Sequence, residues 1–243
     1  MSAAQDQADG CELPEELRRY YLDAMGIQVW DELYPQAVSA DEIPVAEVAE
    51  VEVPPVVFEV SNCSWPELQS MVQQCAQCDL HSPNTHNVFG AGNQNASLLL
   101  VGEAPKQDEA EQGAPFVGEA GELLTAMLKA IDLQRDDVYI TNVVKCHPAD
   151  DHRPCSTEFE SCYPYLQRQI ALLQPKVIYA VGAMASQILL RTNKKITALQ
   201  GQKHSFEGIP LIASFHPAYL LRKPGEKRKA WADLQEIKRL LAE

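Results

Sequence analysis

Four cysteines have a spacing that could bind a metal. Cys75 and Cys78 form a C-x-x-C pair in "QQCAQCDLH", and Cys146 and Cys162 lie much further along the chain. Four thiolates from two distant segments suit a tetrahedral metal or a cubane cluster, and the spacing does not separate zinc from a 4Fe-4S cluster. Four ordinary buried cysteines are the alternative, because free cysteine is often core. Cys155 lies between two candidates and is a spare thiol or a misassigned ligand.

Two polar side chains belong to otherwise apolar runs. Asn142 shares one side of "VYITNVV" with aliphatic neighbours. A buried amide without partners costs about 1–3 kcal/mol, so a defined hydrogen-bonding role is expected for it. His216 ends the run "PLIASFH", and the Pro217 and Arg222 that follow it favour a functional role. For both residues the alternative is a purely structural role.

The elements that must position these residues are visible as four short apolar runs separated by helical patterns. The alternation predicts an α/β fold, a three-layer α/β/α arrangement with a central four-stranded parallel sheet. The terminal helical pattern places Trp231, Leu234 and Ile237 on one side. The predicted strands are residues 97–103, 138–144, 176–182 and 210–216.

The segment 102–121, "GEAPKQDEAEQGAPFVGEAG", follows the first apolar run. It holds four glycines, two prolines, five acidic residues and one lysine, Lys106. It is too irregular for a helix and too acidic for a core. Because ligands bind at the carboxyl ends of parallel strands, its place favours the wall of a site over a plain surface loop. Its acidic side chains are expected to serve a water molecule or to face solvent.

Charge divides the chain into two parts. Residues 1–60 hold 14 of the 34 acidic residues but only two of the 20 basic ones, Arg18 and Arg19. We expect an acidic N-terminal extension over 1–60, with a helix and a flexible linker, and a folded domain over 61–243. The net charge of −14 therefore does not exclude a polyanion as partner of the domain. The extension is a solubilising tail, a screen for an anion-binding groove, or a site for a protein partner through residues 14–33.

The location of the protein is predicted from what the sequence lacks. It has no run of about 18 apolar residues that would span a membrane and no signal-peptide pattern at its N-terminus. We expect a cytoplasmic protein that does not associate with membranes. In that compartment the cysteines are reduced thiols or metal ligands.

Five segments in order carry a family resemblance: "GEAP", "GAPFVGEAG", "ITNVVKC", the four cysteines and "HPAYLLR". Over roughly residues 70–240 the chain resembles the family 4 uracil-DNA glycosylases, the iron–sulfur class. The resemblance implies a four-stranded parallel sheet between helices and a 4Fe-4S cluster, with zinc as the alternative. It also implies a monomeric DNA-repair hydrolase that cleaves the N-glycosidic bond of deoxyuridine in single- or double-stranded DNA. The implied cluster ligands are Cys75, Cys78, Cys146 and Cys162.

The resemblance also implies roles for single residues. Phe116 stacks on the flipped base, Asn142 reads uracil, and His216 lies beside the uracil O2 atom. Glu103 orients or activates the attacking water, and the backbone around Ala104 helps to bind the base or its phosphate. The basic residues Lys106, Arg222 and Lys223 are the candidates for contact with DNA.

The chain departs from the family pattern at two places. Lys106 stands where the family has glycine, which permits a positive φ and a close backbone approach. Asp151 and His152 replace an Asn-Arg pair and remove a cation. These departures favour an alternative function, a catalytically impaired iron–sulfur protein of the same fold that only binds nucleic acid. A zinc-bound protein-interaction module is a third reading.

Overall fold

A computed structural model of the protein describes residues 60–81, 87–148 and 152–243. They belong to one unit, Glu59–Glu243. The predicted extension over 1–60, including the candidate partner-binding helix 14–33, lies outside the described residues except for Val60. Asp151 also lies outside them.

Six strands form a single sheet. Its central strands β2, β3, β4 and β6 are parallel, and they are the four predicted strands. The predicted count of four is too low, because short antiparallel strands β1 and β5 lie at the two edges. Their few residues carry no apolar run that would reveal them. The order is β1-β3-β2-β4-β6-β5, with β1 Ala91–Gly92, β2 Leu98–Gly102, β3 Tyr139–Asn142, β4 Val177–Val181, β5 His204–Phe206 and β6 Ile209–Ser214.

Helices cover the sheet and pack apolar faces against it. One cluster joins Leu99 and Ile178 of the sheet to Leu166 in the helix Ser156–Leu173, and the other joins Leu100 to Leu124 in the helix Gly118–Lys129. The eight α-helices within the described residues are α1 Trp65–Gln73, α2 Gln107–Gln112, α3 Gly118–Lys129, α4 Ser156–Leu173, α5 Ala183–Leu189, α6 Ile196–Leu199, α7 Pro217–Arg222 and α8 Lys227–Leu241. The three-layer α/β/α prediction is confirmed. None of these helices is long and apolar enough to cross a membrane.

The terminal helix corrects one detail of the sequence analysis. Leu234 and Ile237 of α8 are buried as predicted, whereas Trp231 is 45% exposed. Successive helical residues are about 100° apart around the axis. Ala230 faces the core in this turn, so its neighbour Trp231 points away from the centre of the apolar face.

Strand register determines which residues meet at one edge of the sheet. Gly102 at the end of β2 pairs with Asn142 at the end of β3, and Val181 of β4 pairs with Ser214 of β6. The segments that leave these parallel strands therefore begin side by side. This edge is where an open parallel sheet binds ligands.

Candidate active site

A cavity of about 370 Å³ opens at the carboxyl ends of β2, β3 and β6. We call it the first cavity, and its volume lies within the range of small-molecule sites. It brings together predicted site residues from three separate segments of the chain. These are Ala104, Lys106, Phe116, Asn142, His216 and Arg222.

Asn142 ends β3 and is only 2% exposed. Its Nδ2 atom makes no hydrogen bond to any described residue. Gly102 makes room for it, because a Cβ there would come within 2.2 Å of Asn142 Oδ1 and 2.9 Å of the Phe116 ring. A buried donor without a partner is costly, so a ligand in the cavity is a natural acceptor for it.

Phe116 forms the aromatic wall of the first cavity. It is buried and stacks against the His216 ring, with the centroids 5.4 Å apart and the planes 25° from parallel. Its φ of 54° lies in the left-handed region, which is uncommon for an aromatic residue. Such strain costs about 1–3 kcal/mol and persists only where surrounding contacts impose it.

Those contacts come from Glu109 and Arg135. The buried Glu109 carboxylate accepts hydrogen bonds from the backbone nitrogens of Lys106 (2.9 Å) and Phe116 (2.6 Å). Arg135 donates to the carbonyl oxygens of Pro115 (2.8 Å) and Phe116 (3.1 Å). Burial raises the pKa of the Glu109 carboxyl, and the two backbone donors oppose that rise. Together these two side chains hold both ends of the loop that carries Phe116.

This anchoring corrects the expectation for the acidic residues of segment 102–121. Glu109 is buried, and although it lines the first cavity, its carboxylate binds two backbone N–H groups within its own segment. Its position three residues after Lys106, which precedes α2, is the capping-box spacing. Lysine lacks the side-chain acceptor of a full capping box, so the sequence carries no clear signal for Glu109, and nothing in the sequence near Arg135 indicates its role.

His216 immediately precedes α7. Its Nδ1 atom accepts a hydrogen bond from the Ala218 backbone nitrogen at 3.2 Å, which assigns the proton of the neutral ring to Nε2. Burial, together with the positive charges of Lys106 and Arg222, lowers the pKa of His216 to about 4. At neutral pH the ring is therefore an uncharged hydrogen-bond donor.

A second cavity of about 310 Å³ adjoins the first. Glu103 lines this second cavity and not the first, whereas Asn142 and Phe116 line only the first. Burial raises the pKa of Glu103, and the nearby Arg153 guanidinium opposes the shift. The residues common to both cavities are Ala104, Lys106, His216, Ala218 and Arg222.

The three basic candidates differ in position. Lys106 and Arg222 line both cavities, while Lys223 follows α7, is exposed and lines neither. Lys106 has φ −85° and ψ 173°, an extended conformation that any residue adopts. Replacing the glycine of the family pattern by lysine therefore causes no backbone strain at this position.

The four candidate metal ligands line one narrow cavity, the cysteine cavity. Burial, with a smaller contribution from the other thiols, raises the pKa of Cys146 to about 12 and that of Cys162 to about 11. Within residues 60–81, 87–148 and 152–243, no three His, Cys, Asp or Glu side chains approach closely enough to hold a metal ion. The shared cavity and the four-thiol donor set nevertheless fit a tetrahedral metal or a cubane cluster better than a chance grouping of core residues.

Cys155 is not part of the cysteine cavity. It precedes α4, and its sulfur lies 3.0 Å from Thr157 Oγ1. Of the two readings of Cys155, this position favours the spare thiol.

Lys145 connects the cysteine cavity to the first cavity and was missed by the sequence analysis. It is fully buried and lines the cysteine cavity. Its Nζ atom donates to Thr141 Oγ1 (2.6 Å), the Asn142 carbonyl oxygen (2.7 Å) and Gln169 Oε1 (2.6 Å). Three acceptors satisfy all three donors of the ammonium group, so Lys145 fixes the end of β3 against α4.

The fold and the site define an α/β protein with a small-ligand cavity at its strand ends, built from a buried amide, an aromatic ring and a neutral histidine. The family model described as the uracil DNA glycosylase superfamily matches residues 89–235. The chain therefore belongs to this superfamily, as the sequence motifs indicated.

Three relatives give the degree of similarity. A Type-4 uracil-DNA glycosylase of Archaeoglobus fulgidus is 40% identical over 174 residues, 68% of this chain and 87% of the relative. The proteins of the same name from Pyrobaculum aerophilum and Thermotoga maritima are 37% and 39% identical, over 69% of this chain in each case. They are covered over 90% and 89% of their own lengths.

Proposed function

We propose that the protein is a DNA-repair glycosylase that flips uracil out of DNA and hydrolyses its N-glycosidic bond. The observation that carries the proposal is the unpartnered Asn142 Nδ2 atom in the wall of a cavity whose other wall is Phe116. Membership of the superfamily and the similarity to Type-4 uracil-DNA glycosylases support it.

Asn142 and Phe116 account for the choice of base. An amide can donate Nδ2–H to O4 of uracil and accept from its N3–H, whereas cytosine presents the opposite pattern at these two atoms. Flipping a nucleotide costs a few kcal/mol. Stacking on an aromatic ring stabilises a bound base by about 1–3 kcal/mol, so stacking on Phe116 offsets much of the cost of flipping.

His216 and Glu103 account for the cleavage. When the N1–C1′ bond breaks, its electrons move into the base and negative charge grows on O2. A neutral His216 with its proton on Nε2 can donate to that oxygen without leaving a charged ring behind. Glu103, in the second cavity, is suited to orienting or activating the water that adds to C1′.

The backbone of the DNA would meet the basic side chains at this edge of the sheet. Lys106 and Arg222 line the junction of the two cavities and suit the phosphates beside the flipped nucleotide. Lys223, further along the same segment, suits a more distant phosphate. Ala104 contributes backbone and a small side chain where the base must pass close to the chain.

We infer that Cys75, Cys78, Cys146 and Cys162 hold a 4Fe-4S cluster, with zinc as the alternative. The shared cavity and the four-sulfur donor set support this inference. The bound group would cross-link the segment before β1 to β3 and α4 and would serve structure rather than the hydrolysis.

Three further proposals concern the whole chain. The folded domain is residues 61–243, and the acidic residues 1–60 form an extension to it. Residues 14–33 bind a protein partner, and the enzyme acts as a monomer. Size measurement of the full chain and of a chain lacking residues 1–60 tests the last of these directly.

The test of the proposed function is cleavage of a labelled single-stranded oligonucleotide that contains one uracil, followed by alkali. Breaks at the uracil position that disappear in Asn142→Ala would support both the activity and the cavity. Absence of breaks with folded, metal-loaded protein would contradict it and favour the catalytically impaired binding protein. In that case Lys106→Gly would show whether the lysine obstructs the first cavity.

A further inference from the structure

Lys106 carries a primary amine at the junction of the two cavities. Its side chain is exposed, and its backbone is extended without strain. In the described part of the chain its Nζ atom makes no hydrogen bond and no close ion pair. This amine is therefore available for a ligand at the junction of the two cavities.

The position of a bound nucleotide indicates what the amine would meet. The base belongs in the first cavity with Asn142 and Phe116, and the attacking water belongs in the second with Glu103. The sugar carbon C1′ lies between base and water, which places it where the two cavities join. Lys106 lines both cavities at this junction.

The product of the proposed glycosylase step is an abasic sugar, whose open form is an aldehyde at C1′. A primary amine held beside an aldehyde forms an imine, the chemistry by which lysine acts as a nucleophile on carbonyl substrates. We propose that Lys106 forms a Schiff base with C1′ of abasic DNA and promotes β-elimination of the strand, a second activity of the same site. This inference rests on the proposed function, because it takes the glycosylase product as its substrate.

Glu103 supplies the proton transfers that the reaction needs, since it lines the second cavity together with Lys106. Its carboxylate first takes a proton from the Lys106 ammonium, and the free amine then adds to C1′ to give a carbinolamine. Glu103 returns the proton to the carbinolamine hydroxyl, which leaves as water, and a protonated imine remains.

The elimination then needs no external reagent except water. Glu103 removes a proton from C2′, the electron pair forms the C2′–C3′ double bond, and the C3′–O bond breaks with the phosphate as leaving group. Glu103 then releases the proton to water and is again a carboxylate. Water hydrolyses the conjugated imine, which releases the unsaturated aldehyde and regenerates Lys106. No oxidation or reduction occurs at any step.

The test uses the full chain and an oligonucleotide with one preformed abasic site, so it does not depend on uracil release. Sodium borohydride reduces an imine to a stable amine, and we expect a covalent protein–DNA product on a denaturing gel. Without borohydride, strand breaks should appear before any alkali treatment. Digestion of the trapped product should assign the attachment to the peptide that contains Lys106.

The decisive variant is Lys106→Arg, which keeps the positive charge but replaces the nucleophilic amine. We expect the trapped product and the alkali-independent breaks to fall by about tenfold or more. Lys129→Arg is the matched control, because Lys129 is exposed and lines neither cavity. It should trap as much DNA as the unmodified chain.

Three outcomes separate this inference from the proposed function. No trapped product from the unmodified chain, or an undiminished product from Lys106→Arg, would overturn the role of Lys106. Uracil release without a trapped product would support the glycosylase activity and contradict the Schiff base. Trapping on abasic DNA without uracil release would contradict the proposed function while supporting the Schiff base. Thermal unfolding of both variants confirms that each one is folded.

Discussion

The unpartnered amide of Asn142 leads to an unusual expectation for stability. Asn142→Ala should abolish most of the excision of uracil without destabilising the protein. The Nδ2 atom is buried and unsatisfied, which costs about 1–3 kcal/mol in the free enzyme. Truncation removes that cost, and the space it leaves joins the first cavity instead of forming a sealed void.

The size of the effect follows from these terms. Loss of some side-chain packing opposes the relief of the unsatisfied donor, so we expect the free energy of unfolding to be unchanged or to rise by about 1 kcal/mol. Loss of two hydrogen bonds to the base should reduce kcat/KM by about a hundredfold or more. Urea denaturation and single-turnover excision measure the two quantities on the same preparations.

Gln169 is the matched control, because it is a buried amide whose groups are both bonded. Its Nε2 atom donates to the Phe89 carbonyl oxygen at 2.9 Å, and its Oε1 atom accepts from Lys145 Nζ at 2.6 Å. Gln169→Ala leaves a buried ammonium short of an acceptor, so we expect a loss of about 3 kcal/mol or more in the free energy of unfolding. If Asn142→Ala destabilises the protein as much as Gln169→Ala does, Asn142 is a structural amide and the reasoning fails.

Three other perturbations test the surroundings of the site. Glu109→Gln leaves one acceptor oxygen for two backbone donors, so the free energy of unfolding should fall by about 1–3 kcal/mol. kcat/KM should fall as well, because Phe116 is held less firmly. Unchanged unfolding and kinetics would refute the role of Glu109 in holding Phe116. His216 has a pKa of about 4 in the folded protein and an ordinary value of 6.5 in the unfolded chain, so between pH 4 and 6.5 only the unfolded chain is protonated at this residue. The free energy of unfolding should therefore rise with pH across this window, by up to about 3 kcal/mol. In His216→Gln that pH dependence should shrink; an unchanged dependence would show that His216 does not titrate as described. Cys78→Ala should remove the brown colour and about four irons per chain from anaerobically purified protein, whereas Cys155→Ala should retain both. Equal iron in the two variants would contradict the ligand assignment.

The features that could be predicted from the sequence are those that depend on a local pattern of apolar and polar residues. Continuous apolar runs revealed the four parallel strands, because both faces of such strands are buried. The end of the first predicted strand indicated that segment 102–121 would form the wall of a site, and its residues Lys106 and Phe116 line the first cavity. The edge strands β1 and β5 are too short to leave a pattern, and they were missed.

Residues that act through long-range contacts could not be predicted in the same way. Arg135 donates a hydrogen bond to the Phe116 carbonyl oxygen, although the two residues are nineteen positions apart in the sequence. Gln169 donates to the Phe89 carbonyl oxygen across eighty positions. Nothing in "ITNVVKC" distinguishes Lys145 from an ordinary surface lysine. In the structure it is fully buried, and its Nζ atom donates hydrogen bonds to three oxygen atoms. Such pairings depend on tertiary packing, which no periodicity in the sequence records.

The position of backbone strain decides how the lysine at 106 should be understood. Glycine in the family pattern suggested a special conformation there, but Lys106 is extended, and the left-handed non-glycine residue of this segment is Phe116. The hydrogen bonds of Glu109 and Arg135 hold Phe116 in that conformation, and neither uses the Lys106 side chain. Lys106 can therefore change without altering the shape of the loop. Any effect of Lys106→Gly on DNA binding or cleavage must then come from the loss of the side chain, either its amine or its bulk in the first cavity.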